Sequence, residues 1–252
     1  MQRVLVAALL GLVISAGPAR AAGEAVELIE RDWPHEGVFG SYDRSALQRG
    51  LAVFQNVCQS CHGLDYVAFR NLQALGFSED QVEAIAASYT VTDGPDDSGE
   101  MFDRPAEPSD RWPWVFRNEA EAAMANGGKA PPDLSLMAKA RAGGPDYIYS
   151  LLVGYEEPPA DFNVPVGTYY NAYYPGHAIA MPPVLDDGLL DYADGTEASM
   201  SQMAADVSQF LMWTAEPKLE TRKETGATVM LFLIIFTALA FTMKRKIWAD
   251  VH

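Results

Sequence analysis

The residues with the clearest chemical potential are Cys58, Cys61 and His62, which stand together in the stretch NVCQSCHGLDY. They include both cysteines of the 252-residue chain. Four kinds of chemistry use all or part of this C-x-x-C-H arrangement. A structural disulfide would leave the histidine without a role. A thioredoxin-like redox pair belongs in a βαβ setting, whereas the residues before Cys58 have the spacing of a helix.

Zinc binding and covalent haem attachment are the other two possibilities. Zinc would need a fourth ligand such as His177, and adjacent Cys61 and His62 ligands would strain a tetrahedral site. Covalent haem gives every residue a role, because both thiols add to the vinyl groups and the neighbouring imidazole is then held under the iron. We therefore interpret the motif as the attachment site of one haem c, with His62 as the proximal iron ligand.

An iron that carries electrons needs a sixth ligand, and Met181 is the first candidate. Two prolines follow it in HAIAMPPV, and they stiffen the chain in a way that suits a ligand held in a loop. Met137 falls at helical spacing and is assigned to the core. His177 remains the alternative ligand. A thioether would keep the reduction potential high, whereas a second imidazole would lower it.

The two propionates of a haem require cations or hydrogen-bond donors inside the protein. Four such residues, Lys139, Arg141, Tyr147 and Tyr149, cluster shortly after a pair of prolines. Arg141 is the first choice among them because its guanidinium group matches the geometry of a carboxylate. The alternative is an arginine that lies in solvent on a helix face.

Both ends of the chain carry signals for export and membrane attachment. Residues 1–21 combine an early arginine, an apolar stretch and a final ARA, which predict a cleaved signal peptide. Residues 226–243 carry no charge, and as a helix they would span about 27 Å, close to the thickness of the bilayer core. Three cations follow directly, so the positive-inside rule places residues 244–252 in the cytoplasm.

The exported domain, residues 22–222, is strongly acidic. Between residues 22 and 225 the chain has 33 Asp and Glu against 13 Lys and Arg, a net charge of −20. This charge excludes nucleic acid and anionic lipid as natural ligands. It favours a basic protein partner that electrostatic attraction would steer to the surface. The alternative is a charge that serves only solubility.

The expected elements are mainly helices joined by long loops. The first helix is capped by Asp43 or Ser45 and runs into the cysteine motif, with one apolar face at Leu47, Leu51, Phe54 and Val57. Further helices are predicted at 120–126, 134–142, 146–153 and from Ser199 past Pro217, the last with Met203, Val207, Phe210 and Leu211 or Thr214 inward. Residues 92–113 hold seven acids and four prolines, which predicts an exposed loop with nothing to bury. A second loop is predicted at 156–183.

Several longer stretches resemble the cytochrome c1 family in sequence and in order: LQRGLAVFQNVCQSCHGL, APPDLSLMAKARAGGPDYIYSLLVGYEEPP, YYNAYYPGHAIAMPP, DVSQFLMWTAEP and MKRKIW. The resemblance covers nearly the whole mature chain. It implies a mainly α, c-type cytochrome fold with long loop insertions and one C-terminal transmembrane helix. It also implies that His62 and Met181 are the axial ligands. Further pocket or propionate residues would be Asn126, Pro131, Pro132, Arg141, Tyr147 and Tyr174.

The function implied by the resemblance is electron transfer in the cytochrome bc1 complex, a quinol–cytochrome c reductase of the respiratory chain. The subunit would take an electron from the Rieske iron–sulfur protein and pass it to a soluble basic cytochrome c. Cytochrome b would be a further partner in a dimeric complex, and the haem domain would lie in the periplasm, tied to the cytoplasmic membrane. The quinol chemistry would belong to the partners, so we expect no catalytic residue in this chain.

Two other functions remain open at this point. A membrane-anchored haem c sensor or ligand-binding module would need an open or exchangeable sixth position. A haem-free thiol oxidoreductase or a structural anchor would carry no covalent haem. One difference from the family concerns cysteine: some bacterial members have an extra cysteine pair that staples a loop, and this chain has Glu157 and its neighbours there. Another device must therefore hold the Met181 loop, and its own prolines and tyrosines are the candidates.

Overall fold

The computed structural model describes residues 26–250, so the predicted signal peptide lies outside the described residues. The main α-helices are α1 (Arg44–Asn56), α2 (Glu79–Ala87), α3 (Glu119–Ala125), α4 (Met137–Ala140), α5 (Pro145–Val153), α6 (Met200–Ala215) and α7 (Leu219–Ile247). Two 3-10 helices lie at Cys58–Ser60 and Phe69–Leu75. Four short strands form two antiparallel pairs, β1 (Thr90–Asp93) with β2 (Phe102–Pro105) and β3 (Tyr169–Tyr170) with β4 (Ala178–Ile179). The mainly α fold expected from the sequence is confirmed.

Helix α1 begins and ends where its sequence pattern predicts. The Asp43 carboxylate accepts hydrogen bonds from the backbone N–H groups of Ser45 and Ala46, which satisfies donors that a helix start leaves free. The predicted apolar face is buried at Leu47 and Phe54, both with no exposed surface. The helix ends at Asn56, one residue before the turn that carries the cysteine motif, so packing of α1 fixes the position of that turn.

Helix α6 crosses α1 and forms the centre of the core with it. Ser199 caps α6 through the N–H of Gln202, and the predicted inward residues of α6 are all buried. Gly50 of α1 lies against the backbone of α6, which brings the two helices into close contact. Beside this crossing, the Arg49 guanidinium pairs with the fully buried Asp206 carboxylate at 2.9 Å.

The acidic segment at 92–113 is mostly exposed, as predicted, but it is not a simple loop with nothing to bury. Its first part joins β1 to β2 as a hairpin, in which Arg104 pairs with Asp93 and Asp110, both at 2.6 Å. Its last part returns to the core, where the Trp112 ring packs 4.7 Å from the ring of Phe69. The prediction missed the hairpin and the buried tryptophan because it weighed acids and prolines alone, whereas the arginine neutralises two acids and the tryptophan supplies apolar surface to bury.

Two predicted helix bounds also need correction. The helix expected at 134–142 is shorter and consists of α4, Met137–Ala140. It starts late because the Leu134 N–H donates to the Gly63 carbonyl, which holds the preceding residues against the cysteine-motif loop. The last soluble helix does not run on through Pro217. α6 ends at Ala215 and α7 starts at Leu219, since proline lacks an N–H and excludes helical geometry in the residue before it.

Helix α7 is long and apolar enough to cross a membrane. Its 29 residues contain an 18-residue window of mean hydropathy 2.2, and none of that window is buried against the rest of the protein. Three cations, Lys244, Arg245 and Lys246, close its last turn. α7 is therefore a candidate membrane span that projects from the folded domain.

Candidate haem-binding site

A cavity of about 370 Å³ opens beside the cysteine motif, and all ten residues that the sequence nominated line its wall. They are Cys58, Cys61, His62, Asn126, Pro131, Pro132, Arg141, Tyr147, Tyr174 and Met181. These residues come from four stretches of the chain, 58–62, 126–132, 141–147 and 174–181, so only the tertiary fold brings them together. The arrangement joins two thiols, an imidazole and the thioether of Met181 around one space. The thioether of Met137, which we had assigned to the core, borders the same space.

The rest of the wall is mostly apolar and was not assigned to the site from the sequence. It includes Leu151 and Leu152 of α5, Ile179 of β4, and Val207 and Leu211 of α6. The α6 pair was expected on the buried face of its helix. Helical periodicity marks a residue as inward, but it does not distinguish a contact with core from a contact with a cofactor. Lys129 also lines the cavity and was missed.

The cysteine motif forms a single 3-10 turn. The backbone N–H groups of Cys61 and His62 both donate to the Cys58 carbonyl, at 3.1 and 2.9 Å. Both thiols are free, and the Cys61 thiol lies 3.7 Å from the Asn126 side-chain oxygen. Burial raises the pKa of the Cys58 thiol to about 12. Such a thiol stays protonated at neutral pH, unlike the activated thiolate of a thiol oxidoreductase.

The His62 imidazole is oriented by a backbone carbonyl. Its Nδ1 lies 2.7 Å from the Pro132 oxygen, so Nδ1–H donates and Nε2 keeps its lone pair. Burial lowers the pKa of His62, while the bond to Pro132 and the charge of Asp133 act in the opposite direction. The ring therefore favours the neutral form, which is the form that binds a metal.

The Pro131–Pro132 segment is fixed to the loop that follows the motif. Leu134 N–H donates to the Gly63 carbonyl at 3.0 Å, and Asp65 N–H donates to the Asp133 carboxylate at 2.7 Å. These two bonds close the segment over the histidine. The Pro132 carbonyl is thereby held in place as the hydrogen-bond partner of the ring.

The loop that contains Met181 is held by Tyr155 and by the buried Asn171. The Tyr155 hydroxyl donates to the Met181 carbonyl at 2.9 Å. Asn171 has no exposed surface, and its side-chain amide donates to the Leu151 carbonyl at 2.8 Å. The supporting tyrosine, Tyr155, precedes the loop predicted at 156–183, so it is not one of the loop's own tyrosines that the sequence suggested. The sequence did not indicate Asn171 either.

His177, the alternative to Met181, does not line the cavity. Its ring stacks on Tyr170 with 5.7 Å between centroids, and its backbone has a φ of 57°. Its Nδ1 lies 3.2 Å from the Asn171 carbonyl. Within residues 26–250, no three His, Cys, Asp or Glu side chains group as a metal site, so a zinc site with His177 is not assembled.

The four residues suggested for the propionates divide into two groups. Arg141 and Tyr147 line the cavity, and the Arg141 guanidinium also donates to the Ala140 carbonyl. Burial raises the pKa of Tyr147, and Arg141 partly offsets this effect. Lys139 instead pairs with Glu216 at 2.9 Å, and the Tyr149 hydroxyl bonds Ser201 at 2.8 Å, so neither residue belongs to the cavity.

Residues 33–251 match the family model described as the Cytochrome C1 family. The chain belongs to the cytochrome c1 family. It is 50% identical over 268 residues to a cytochrome c1 of Rhodospirillum rubrum, covering all of this chain and 98% of that protein. It is 45% identical over 221 residues to the mitochondrial "Cytochrome b-c1 complex catalytic subunit" of Candida albicans, across 87% of this chain and 77% of that protein.

A third relative is a fused protein. The "Cytochrome b/c1" of Bradyrhizobium diazoefficiens is 50% identical over 242 residues, which cover 87% of this chain but only 35% of that protein. Membership of the cytochrome c1 family implies a haem cofactor and agrees with the c-type cytochrome fold. The cavity fits that cofactor, because its wall is apolar and its donors are two thiols, a neutral imidazole and a thioether.

Proposed function

We propose that this cytochrome c1-family chain is the haem-bearing electron-transfer subunit of a cytochrome bc1 complex. The observation that carries the proposal is the single cavity that joins Cys58, Cys61, His62 and Met181. It is supported by the names of relatives that match across most of their length. In this role the chain contributes a redox centre to the reductase and performs no substrate chemistry of its own.

Haem c, when bound, supplies a one-electron iron centre. Cys58 and Cys61 would hold it covalently through thioethers, and both thiols border the same cavity. His62 would offer Nε2 to the iron because Nδ1 is engaged by the Pro132 carbonyl. The hydrogen bond from Nδ1 to the Pro132 carbonyl fixes the orientation of the ring and raises the basicity of Nε2 as a ligand.

Met181 is proposed as the sixth ligand rather than His177, since Met181 borders the cavity and His177 does not. Met137 borders it too, but it begins helix α4 and packs against the hydrophobic core, whereas Met181 stands in a loop. A thioether is a soft ligand that favours ferrous iron and therefore a high reduction potential. The apolar residues of α5 and α6 exclude water, which also favours the less charged form of the centre. Arg141, with Tyr147 beside it, is the proposed partner of a propionate.

The partners follow from charge and from the relatives. The fused cytochrome b/c1 protein supports cytochrome b as a neighbour. A net charge of −20 over residues 22–225 supports a basic soluble cytochrome c as electron acceptor. The Rieske iron–sulfur protein is the proposed donor, and the complex is proposed to be dimeric.

The proposed location is the cytoplasmic membrane, with the haem domain in the periplasm. α7 provides the span, and the cations at its end stay in the cytoplasm by the positive-inside rule. The boundaries proposed from the sequence are a signal peptide at 1–21, a domain at 22–222, a span at 226–243 and a tail at 244–252.

The test is a set of variants of the full chain expressed with haem attachment. Cys58→Ala and Cys61→Ala should lose haem that survives denaturation, as measured by haem staining of a denaturing gel and by the pyridine haemochrome assay. Met181→Leu should keep the haem, lower its midpoint potential and bind CO in the reduced state. His177→Ala is the matched control and should change none of these.

Three results would contradict the proposal. Haem that stays attached in both cysteine variants would contradict the assignment of Cys58 and Cys61 as the attachment site. An unchanged potential in Met181→Leu, together with a shift in His177→Ala, would transfer the ligand role to the histidine. CO binding by the unsubstituted reduced protein would favour a haem sensor with an exchangeable sixth position.

A further inference from the structure

The turn that precedes α1 exposes two adjacent apolar side chains, Val38 and Phe39, which we call the Val38–Phe39 tip. Phe39 is 92% exposed, more than any other aromatic residue in the described part of the chain, and Val38 is 71% exposed. Burial of both side chains would be favourable, yet nothing within residues 26–250 covers them. Two adjacent apolar side chains with this much exposed surface form a small apolar patch that is available for a contact outside the chain.

The tip stands on a fixed base. Glu36 N–H donates to the Trp33 carbonyl and Ser41 N–H donates to the Pro34 carbonyl, both at 3.0 Å. Trp33 is itself buried, and its indole N–H donates to the Asp146 carboxylate at 2.7 Å. The exposure of the tip is therefore a property of an ordered turn, because the backbone on both sides of it is hydrogen-bonded to the domain.

The same base is bonded to the first turns of α7. The Lys223 ammonium donates to the His35 carbonyl at 2.6 Å and to the Gly40 carbonyl at 3.0 Å, one on each side of the tip. Tyr42 N–H donates to the Glu220 carboxylate at 2.8 Å. These bonds tie the tip to the helix that forms the candidate membrane span.

The position of Lys223 sets the height of the tip above the membrane. Lys223 precedes the uncharged stretch by three residues, or about 4.5 Å along a helix axis. The headgroup region outside the hydrocarbon core is roughly 5–8 Å thick on each side. The base of the tip therefore lies at headgroup level when α7 spans the bilayer, and an aromatic side chain at this level has its apolar part beside the acyl chains.

We propose that the Val38–Phe39 tip is a second membrane contact, inserted at the boundary between headgroups and acyl chains in the leaflet where α7 enters. The contact is apolar and needs no anionic lipid, in agreement with the acidic domain. Together with α7 it attaches the domain at two points, which fixes its tilt and its rotation about the helix axis. The inference rests on the proposed span, but not on the presence of haem.

The test measures the depth of a spin label in the full chain, reconstituted in phosphatidylcholine vesicles. Phe39→Cys carries the test label. Val166→Cys is the matched control for an exposed apolar residue of the domain, and Ile234→Cys is the depth control within α7. The unsubstituted chain is labelled in parallel, so that any signal from Cys58 and Cys61 can be subtracted.

We expect the label at 39 to collide with dissolved oxygen more than with a water-soluble nickel chelate, as the label at 234 does. The label at 166 should show the reverse, with a severalfold difference in the ratio of the two collision rates. A label at 39 that matches the one at 166, while the label at 234 is deep, overturns the tip proposal and leaves the span intact.

Two further results would also overturn the proposal. A label at 39 that is accessible in vesicles, but protected in the assembled complex, would show that a protein subunit covers the tip. A label at 234 that is accessible to the nickel chelate would show that α7 does not span the bilayer, and the second contact would then lose its basis. Circular dichroism of each labelled protein checks that the domain is folded.

Discussion

Replacement of Gly50 by alanine should destabilise the domain, because α1 and α6 cross at this residue without room for a methyl group. A Cβ at position 50 would overlap the Asp206 carbonyl oxygen and lie 2.6 Å from the Cβ of Phe210. Carbon atoms in contact prefer about 3.5–4.0 Å, so the two helices would have to separate by roughly 1 Å. Neither obstacle can rotate away, since one is backbone and the other is the first atom of a side chain.

The size of the effect follows from two opposing contributions. An extra methyl group in a packed core costs about 1–3 kcal/mol, and rigid neighbours place this site at the upper end of that range. The higher helix propensity of alanine stabilises a helix by up to about 1 kcal/mol relative to glycine. We therefore expect Gly50→Ala to lower the free energy of unfolding by about 2 kcal/mol, with further loss if the separation loosens Phe54 against Phe210.

The assay is denaturant unfolding of the full chain in detergent, followed by circular dichroism. Gly226→Ala is the matched control, because Gly226 lies in α7 and an added Cβ there would have no neighbour within 4 Å. It should leave the midpoint unchanged or raise it slightly. If Gly50→Ala unfolds at the same midpoint as Gly226→Ala, the helices do not cross as closely as the structure has them.

Three further predictions concern polar groups in the domain. Tyr155→Phe removes only the hydroxyl that holds the loop of the proposed methionine ligand, so we expect a lower midpoint potential in redox titration with unfolding unchanged within about 1.5 kcal/mol. Asp206→Asn leaves the Arg49 guanidinium without its buried charged partner and should cost about 3–5 kcal/mol in denaturant unfolding, whereas Asp194→Asn at the exposed end of the same arginine should cost much less. Burial and a nearby lysine lower the pKa of His35 to about 4, so the unfolded chain binds more protons between pH 6.5 and 4. Stability should fall as the pH drops through that window, and His35→Phe should remove the contribution of this imidazole to the fall, as measured by denaturant unfolding at several pH values.

The parts of the structure that the sequence predicted correctly depend on short segments. The cap at Asp43, the apolar spacing of α1 and the start of α6 at Ser199 each depend on residues within about three turns of one another. The attachment motif has the same property, since three residues define it. Local signals of this kind survive in the fold because tertiary packing of α1 against α6 reinforces them.

The parts that were wrong depend on contacts between distant segments. Leu134 is removed from its predicted helix by a hydrogen bond to Gly63, 71 residues earlier. The hairpin at 90–105 is stabilised by Arg104, which pairs with Asp93 on the opposite strand and with Asp110 beyond the hairpin. The composition of a segment averages over its residues, so it does not show that a single arginine or tryptophan can order the segment through a specific contact.

The support of the Met181 loop shows how such a contact can replace a covalent one. Asn171 is fully buried, and its backbone N–H bonds the His177 carbonyl while its side chain bonds Leu151 of α5. Tyr155, two residues beyond α5, completes the link to Met181. Because a buried polar group that loses a partner costs about 1–3 kcal/mol, opening the loop would break several bonds at once without water to replace them. The rigidity that a ligand loop needs can therefore come from one buried amide, one hydroxyl and the end of a packed helix, without a disulfide.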